Sequence, residues 1–267
     1  MSSKSLKFMI VPWLIWGIAV LCYCNQYFLR ISVSGLTPDL VRSYHINAIS
    51  LSIVAASFYY AYLIMQIPCG MLVDRYGPRI TLTISTLLCA LGSAIFTGFD
   101  SVALLTVGRF VMGIGAAFAL ISTLNLTRIW FDRSQFTLVS AVTLMVGTLG
   151  ALLGGAPLII LSKAVPMHVI TGSSTAITIV LSILAWCCVR DRPASLERKV
   201  ESQAFFATLS ESTGSRTVWY AALLSGFLFA PITVFAGLWC IPFLTDLYGK
   251  AVWVKSSSAV IFIGLAA

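Results

Sequence analysis

Seven long apolar runs constrain this chain more than any other feature of its sequence. A helix needs about 20 apolar residues to cross the roughly 30 Å hydrocarbon core of a membrane. Runs of that length are Phe8–Leu36, Ile46–Val73, Ile80–Gly98, Val102–Leu126, Phe136–Leu161, His168–Val189 and Val218–Leu244. An eighth run near Val252 is cut off, because the twelve residues after Lys255 make only about 18 Å of helix. The sequence therefore predicts an all-α polytopic membrane protein.

The composition excludes a water-soluble globular enzyme. Of the 267 residues, 59% are hydrophobic and only 10% are charged, whereas soluble chains carry roughly 25% charged residues. A cleavable signal peptide is not indicated either, since its apolar core spans about 7 to 15 residues and the first run is much longer. We expect that first run to remain as a spanning helix surrounded by membrane lipid.

The net charge of +8 indicates topology and not a nucleic-acid partner, because the basic residues lie in short gaps between apolar runs. If the N-terminus is cytoplasmic, the inner segments hold eleven basic residues: Lys4, Lys7, Arg75, Arg79, Arg128, Arg133, Arg190, Arg192, Arg198, Lys199 and Arg216. The outer segments then hold four: Arg42, Lys163, Lys250 and Lys255. Positive residues are retained on the cytoplasmic side. We therefore expect a cytoplasmic N-terminus, in a bacterial inner membrane.

One long polar stretch, Arg190–Arg216, interrupts the series of short loops and is interpreted as a cytoplasmic linker over residues 190–216. Six runs precede it, which predicts a six-helix bundle over residues 1–189. Residues 217–267 would begin a second bundle, with one full span and one that is cut off. We expect the greater part of that second bundle to be missing from this chain, which would then be truncated.

A charged turn follows the second apolar run. Its fixed residues are Gly70, Asp74, Arg75, Gly77 and Arg79, in the pattern G-x-x-x-D-R-x-G-x-R. This pattern resembles the signature of the major facilitator superfamily of secondary transporters, at the right spacing and in the cytoplasmic loop after the second span. An ordinary basic turn with a glycine for chain reversal is the alternative.

Two further segments resemble patterns of the same family. In the fourth run, Arg109, Gly113 and Gly115 follow R-x-x-x-G-x-G, although close helix packing through small residues explains the glycines equally well. The fifth run resembles the glycine-rich motif of exchangers in the family, with Gly147, Gly150, Gly154, Gly155 and Pro157. An alanine separates the last two residues, where the motif has Gly-Pro together, so antiport and a packing role with a proline bend both stay open.

The resemblance covers the six-helix N-terminal half and the start of the seventh helix. It implies two six-helix bundles, each made of two inverted three-helix repeats, with a substrate cavity between them. In the family the loop aspartate braces the two halves on the cytoplasmic side. Asp74 would therefore act as a conformational latch with Arg75 and Arg79. We expect its partner helix, and the C-terminal half that would pair with this bundle, to lie beyond Ala267.

Polar residues on one face of the first run form the main candidate substrate site. Tyr23, Gln26, Tyr27 and Arg30 follow the helical spacing i, i+3, i+4 and i+7. An arginine in hydrocarbon costs roughly 2.5 to 3.5 kcal/mol, so it normally faces a cavity or a partner. We expect Arg30 to face a substrate cavity; snorkelling to the outer headgroups is the alternative.

The second and fourth runs supply further candidate substrate-binding residues. Tyr59, Tyr62 and Gln66 share one face of the second run, where an aromatic stripe is equally compatible with packing. Arg109 lies about 13 Å inward from the outer end of the fourth run. Asp39, Asp100 and Asp246 are assigned to outer turns, so that no carboxylate falls within a run. Unpaired arginines favour an anionic ligand that supplies the countercharge.

These patterns predict alternating-access transport of a small metabolite, either an organic anion or an amino acid, by symport or antiport. A receptor or scaffold with the same fold is the alternative, since fold does not determine function. An intramembrane enzyme is not indicated, because neither H-E-x-x-H nor G-x-S-x-G occurs. The seven cysteines form no C-x-x-C pair and have no histidines at metal spacing, so neither a metal nor a cofactor is expected.

Overall fold

The computed structural model describes residues 3–98, 101–191, 214–231, 234–235 and 239–249, together with positions 257, 260 and 264. Within these ranges the chain forms helices and no strand. The helices are α1 (Ser3–Tyr44), α2 (Ala48–Tyr76), α3 (Pro78–Gly98), α4 (Val102–Ala116), α5 (Ala119–Trp130), α6 (Arg133–Gly154), α7 (Ala156–Leu161), α8 (Met167–Cys188), α9 (Arg216–Pro231) and α10 (Cys240–Tyr248).

Six helical segments of membrane-spanning length confirm six of the seven predicted spans. They are Ile10–Tyr44, Ala48–Tyr76, Pro78–Gly98, Val102–Trp130, Arg133–Leu161 and Met167–Cys188. The fourth segment consists of α4 and α5, and the fifth consists of α6 and α7. The predicted seventh span corresponds to α9 and α10, which are separated by a stretch that lies partly outside the described residues. Most of the predicted linker, from position 192 to 213, also lies outside them, as does Asp100.

Helix α1 is longer than its apolar run predicts. The run ends at Leu36, whereas the helix continues through Pro38 to Tyr44. Proline is tolerated in membrane helices because neighbouring groups compensate for the backbone hydrogen bond that it removes. The assignment of Asp39 to an outer turn is therefore wrong, since this residue lies within the last two turns of α1 with its Oδ2 atom buried.

Glycine and proline divide the fifth span. Helix α6 ends at Gly154, Gly155 joins the two helices, and α7 begins at Ala156 with Pro157 in its first turn. Proline is accepted there because the first turn of a helix has no intrahelical partner for its N–H groups. The fifth span therefore consists of a long helix and a short one that follows the break.

Small residues allow the helices of the bundle to approach closely. A Cβ atom added to Gly92 of α3 would lie 2.6 Å from the carbonyl oxygen of Gly108 in α4. A Cβ atom added to Gly35 of α1 would lie 2.6 Å from the carbonyl oxygen of Gly154 in α6. Close packing of this kind holds membrane helices together. The hydrophobic effect contributes little between helices in a bilayer, because lipid tails are as apolar as the side chains. Helix α1 is central to this arrangement and contacts every helix from α2 to α8.

Candidate functional site

Arg30 of α1 lies among three tyrosine rings that we call the tyrosine cage: Tyr27, Tyr59 and Tyr62. The guanidinium carbon of Arg30 is 4.9 Å from the ring centre of Tyr59, 5.1 Å from that of Tyr62 and 5.5 Å from that of Tyr27. Tyr27 and Arg30 are three residues apart on α1, and Tyr59 and Tyr62 are three residues apart on α2. Residues at this spacing share a helix face. The ring faces attract the cation and hold it in place.

The charges of the two intramembrane arginines are not neutralised by any carboxylate of the described residues. Among the described residues, neither Arg30 nor Arg109 forms an ion pair with an aspartate or glutamate. An unpaired guanidinium in a membrane is unfavourable, and an anion that enters the site supplies the missing charge. Arg30 is half-buried as a whole residue, and its guanidinium donates to no backbone carbonyl of the described residues.

Arg109 of α4 has a different environment, because its side chain is only 1% exposed. Its Nη1 atom donates a hydrogen bond to the carbonyl oxygen of Leu29 at 2.7 Å, and Nη2 donates to that of Arg30 at 3.1 Å. Its guanidinium carbon lies 4.5 Å from the ring centre of Phe58. The fork of Arg109 therefore holds the backbone of α1 directly behind Arg30.

Phe58 of α2 connects the two arginines, although its sequence context gave no signal of such a role. Its fully buried ring contacts Arg109 and packs against two rings of the tyrosine cage. The ring centres of Phe58 and Tyr62 are 6.4 Å apart and stacked, and those of Phe58 and Tyr59 are 5.7 Å apart and edge to face. Phe58 therefore contacts both Arg109 and the cage.

The other residues predicted to bind substrate lie close to the cage and differ in how deeply they are buried. Tyr23 is 4% exposed, and its ring lies edge to face with that of Tyr27 at 5.0 Å. Gln26 is 2% exposed, and neither polar atom of its amide has a hydrogen-bond partner among the described residues. Gln66 is half-buried on α2, one turn beyond Tyr62. Arg30, the cage and Gln66 are thus half-buried, whereas Tyr23 and Gln26 are buried.

The glycines of the two family-like patterns lie at helix contacts. In α4, a Cβ atom at Gly113 would meet the carbonyl oxygen of Phe58, and one at Gly115 would meet that of Ser85 in α3. The corresponding contacts from α6 to α1 are Gly147 with the Tyr23 ring, Gly150 with the Cys24 carbonyl and Gly154 with the Phe28 carbonyl. The contact at Gly113 sets the distance between α2 and α4, which carries Arg109. The contacts of the α6 glycines set the distance between α6 and α1, which carries Arg30.

Hydrogen bonds join the charged turn between α2 and α3 to residues at the end of α8. Gly77 has φ +81°, a left-handed conformation that glycine adopts without a steric cost. The backbone N–H group of Arg79 donates to Oδ1 of Asp191 at 2.5 Å, and its guanidinium donates to the carbonyl oxygen of Trp186 at 2.8 Å. The same guanidinium lies 4.8 Å from the ring centre of Trp186.

Sequence reasoning missed the roles of Asp191 and Trp186. Burial raises the pKa of the Asp191 carboxyl above its ordinary value, while the N–H group and charge of Arg79 oppose that shift. A signal was present, since Asp191 directly follows the sixth span and a carboxylate is stabilised near a helix N-terminus such as that of α3. Its pairing depends on which helix ends meet, which no local pattern indicates.

The other residues predicted to form the latch are Gly70, Asp74 and Arg75, at the end of α2. Asp74 is exposed and has no hydrogen-bond or ion-pair partner among the described residues. Arg75 is also exposed, and its guanidinium carbon lies 5.4 Å from the ring centre of Tyr76. A Cβ atom at Gly70 would meet no atom within 4 Å. This edge of α2 is therefore accessible to another part of the protein.

Comparisons with known proteins agree with this architecture. The sequence profile of the Major Facilitator Superfamily matches residues 15–267. The hexuronate transporter of Bacillus subtilis is 28% identical over 262 residues, which cover 93% of this chain and 60% of that protein. A probable sulfoacetate transporter of Cupriavidus necator is 29% identical over 138 residues, which cover 51% of this chain and 32% of that protein.

A solved structure shares the fold. It is a bacterial homologue of the human lysosomal transporter Spinster in an inward-facing, unoccupied conformation, and it superposes with a TM-score of 0.71 at 15% identity. The superposition covers 96% of this chain and 60% of that one, so the chain spans less than two thirds of each of these proteins. Because the profile covers nearly the whole sequence and the helical architecture agrees with it, this chain belongs to the Major Facilitator Superfamily.

Proposed function

We propose that this protein is a secondary transporter that moves a small organic anion across a membrane by alternating access. The observation that carries the proposal is Arg30, a half-buried residue whose guanidinium lies in the tyrosine cage and has no carboxylate partner among the described residues. A carboxylate or sulfonate accepts two parallel hydrogen bonds from such a fork. Hexuronate and sulfoacetate, which are named for two relatives, are both organic anions.

The two arginines have different roles in this proposal. Arg30 binds the anionic group of the substrate, and Tyr27, Tyr59 and Tyr62 orient its guanidinium for that contact. Arg109 was expected to bind substrate as well, but we assign it to bracing α1, because both of its terminal nitrogens already donate to backbone carbonyls. Gln26 and Gln66 extend the polar surface around Arg30 and select among substrates by hydrogen bonding.

Uptake into proteoliposomes tests the proposal. We expect vesicles that contain the purified protein to accumulate labelled hexuronate or sulfoacetate above empty vesicles, and to leave a neutral hexose outside. Arg30→Lys keeps the charge and loses the fork, so the apparent affinity should fall about tenfold to a hundredfold. Arg42→Lys is the matched control, because Arg42 lies exposed near the end of the same helix.

Two outcomes would contradict this function. Unchanged affinity in Arg30→Lys would remove the anion-binding role of Arg30. Binding of an organic anion without any uptake would instead identify a receptor or scaffold with a transporter fold.

The conformational latch is part of the same proposal. Asp74 stands exposed at the end of α2, where it is available to a second bundle on the cytoplasmic side. We expect Asp74→Asn to slow uptake while the protein still inserts in the membrane. The orientation follows from the distribution of basic residues, so a cysteine introduced at Ser195 of the linker should resist an impermeant reagent added outside intact cells.

A further inference from the structure

Arg79 and Trp186 lie together at one end of the packed helices α3 and α8. These helices have 21 and 22 residues, or about 32 Å each at 1.5 Å per residue, which is just enough to cross the hydrocarbon core. Arg79 is the second residue of α3, and Trp186 is the third from the end of α8. Both side chains therefore belong at the level of the lipid headgroups, a depth at which tryptophan is enriched.

The guanidinium of Arg79 is fixed at this depth but keeps a donor free. Its Nε and Nη2 atoms donate to the carbonyl oxygen of Trp186 at 3.2 Å and 2.8 Å, in an exposed part of the surface. Its Nη1 atom donates to no group of the described residues. Asp191 accepts from the backbone N–H group of Arg79 and offsets part of the charge, and the exposed Arg190 adds a second positive charge. These three side chains together carry a net positive charge.

Trp186 supplies a second free donor. It is 53% exposed, and its ring centre lies 4.8 Å from the guanidinium carbon of Arg79. The indole Nε1 atom of Trp186 has no hydrogen-bond partner among the described residues, whereas that of Trp130 donates to the carbonyl oxygen of Arg190 at 2.9 Å. The stacked cation places Arg79 Nη1 and Trp186 Nε1 within about 7 Å of each other, a distance that two oxygens of one phosphate group bridge through hydrogen bonds of about 2.9 Å each.

An exposed apolar surface begins at this site and follows the same two helices. Ile84 and Leu87 of α3 are exposed and three residues apart, so they share a helix face. Ile183 and Ile179 of α8 are also exposed, and they lie three and seven residues before Trp186 on the face of its ring. The tyrosine cage lies on α1 and α2, so neither row belongs to the candidate substrate site. Exposed apolar rows of this kind mark contact with the membrane.

We propose that Arg79 and Trp186 bind the phosphate group of an anionic phospholipid, whose acyl chains lie along α3 and α8. Phosphate oxygens accept charge-assisted hydrogen bonds from guanidinium groups. Basic groups between membrane helices bind anionic headgroups on the cytoplasmic side, and the distribution of basic residues predicts that side for this turn. A choline headgroup carries a positive charge that Arg79 and Arg190 would repel. The bound phosphate stabilises the contact between the charged turn and α8. This site does not depend on the proposed transport function.

Thermal unfolding of the purified protein in detergent, after removal of bound lipid, tests the site. Phosphatidylglycerol is added at increasing mole fraction in the micelles, and phosphatidylcholine with the same acyl chains is the comparison. We expect a saturating rise in the midpoint that is larger with phosphatidylglycerol, because a ligand that binds only the folded state stabilises it. Arg79→Gln removes the charge and should weaken the apparent affinity about tenfold or more. Arg133→Gln is the matched control, since Arg133 is exposed at the start of α6, which packs against α1, α5 and α7.

A second variant serves if Arg79→Gln does not fold. Trp186→Phe keeps the ring and loses the N–H group, so its affinity for phosphatidylglycerol should fall about twofold to tenfold. Equal midpoint shifts with the two lipids would overturn the proposal. An equal loss in Arg133→Gln would also overturn it, because the lipid would then respond to overall charge.

Two other occupants of the site would be recognised in the same experiment. An equal rise with inorganic phosphate would identify a free anion as the ligand. A midpoint that depends on protein concentration instead of lipid would place a second copy of the chain on this surface. Either result contradicts the phospholipid site.

Discussion

The Nη2 atom of Arg109 lies 3.1 Å from the carbonyl oxygen of Arg30, so the two arginines inside the membrane are joined through the backbone of α1. The second terminal nitrogen of Arg109 bonds the preceding carbonyl, that of Leu29, at 2.7 Å. One guanidinium therefore bonds the backbone of α1, and the other lies among the rings of the tyrosine cage. This division of roles leads to separate predictions for the two residues.

We expect Arg109→Lys to destabilise the bundle, because a lysine ammonium cannot span two carbonyl oxygens with a planar fork. Hydrogen bonds that involve a charged group contribute about 1.5 to 3 kcal/mol each, so the loss of one should clearly lower the thermal midpoint in detergent. Arg128→Lys is the control, since Arg128 makes only a long contact of 3.5 Å with Asn125 on the exposed surface. Equal midpoints for the two variants would show that Arg109 does not brace α1.

The tyrosine cage should contribute to substrate affinity chiefly through its ring faces. A cation–π contact contributes about 0.5 to 2 kcal/mol, so Tyr59→Leu should weaken substrate binding roughly twofold to thirtyfold. Tyr59→Phe keeps the ring and should have a smaller effect. Tyr60→Leu tests specificity, because Tyr60 is 65% exposed on the neighbouring helix face. If Tyr59→Phe is as impaired as Tyr59→Leu, the hydroxyl group is the important part of the ring.

Gly150 should be intolerant of any side chain. A Cβ atom there would collide with the carbonyl oxygen of Cys24, which belongs to the backbone of α1 and cannot move independently. Overpacking of this kind costs about 1 to 3 kcal/mol, so Gly150→Ala should lower the thermal midpoint and the yield of folded protein. Gly172→Ala is a matched control in α8, because a Cβ atom there meets nothing within 4 Å. Similar losses in both variants would contradict this packing argument.

Asp191 should make the stability of the protein depend on pH. Burial raises the pKa of its carboxyl in the folded state, so folding favours the protonated form. The contribution of this group is then fully present below the ordinary aspartate pKa and is lost as the pH rises through the raised value. Asp191→Asn keeps a side-chain oxygen that accepts the hydrogen bond from the Arg79 N–H group. Its amide group does not titrate.

The wild-type midpoint should therefore fall relative to that of Asp191→Asn as the pH rises from the ordinary aspartate pKa of about 3.9 through the raised value. Thermal scans of both proteins across this range measure the difference. A difference that stays constant with pH would show that Asp191 has the same pKa in the folded and unfolded states.

The membrane explains why the sequence predicts so much of the fold. A spanning helix must be long, apolar and internally hydrogen-bonded, and these requirements are met within each segment separately. The six confirmed spans and the charged turn at Gly70 to Arg79 were accordingly visible as local patterns. The end of α1 could not be predicted from a local pattern, because the helix continues through Pro38 beyond its apolar run.

The sequence by itself determined that the chain spans a membrane, belongs to a transporter family and carries two arginines without carboxylate partners in the predicted spans. Only the tertiary structure decided which arginine bonds the backbone of α1 and which lies among the tyrosine rings. That depends on how α1, α2 and α4 are rotated and packed, with Arg109 turned onto the carbonyls of α1 and Arg30 turned into the cage. The same packing placed Arg79 against Trp186 and brought Asp191 to the charged turn. Such relationships join residues far apart in the chain, so no local pattern contains them.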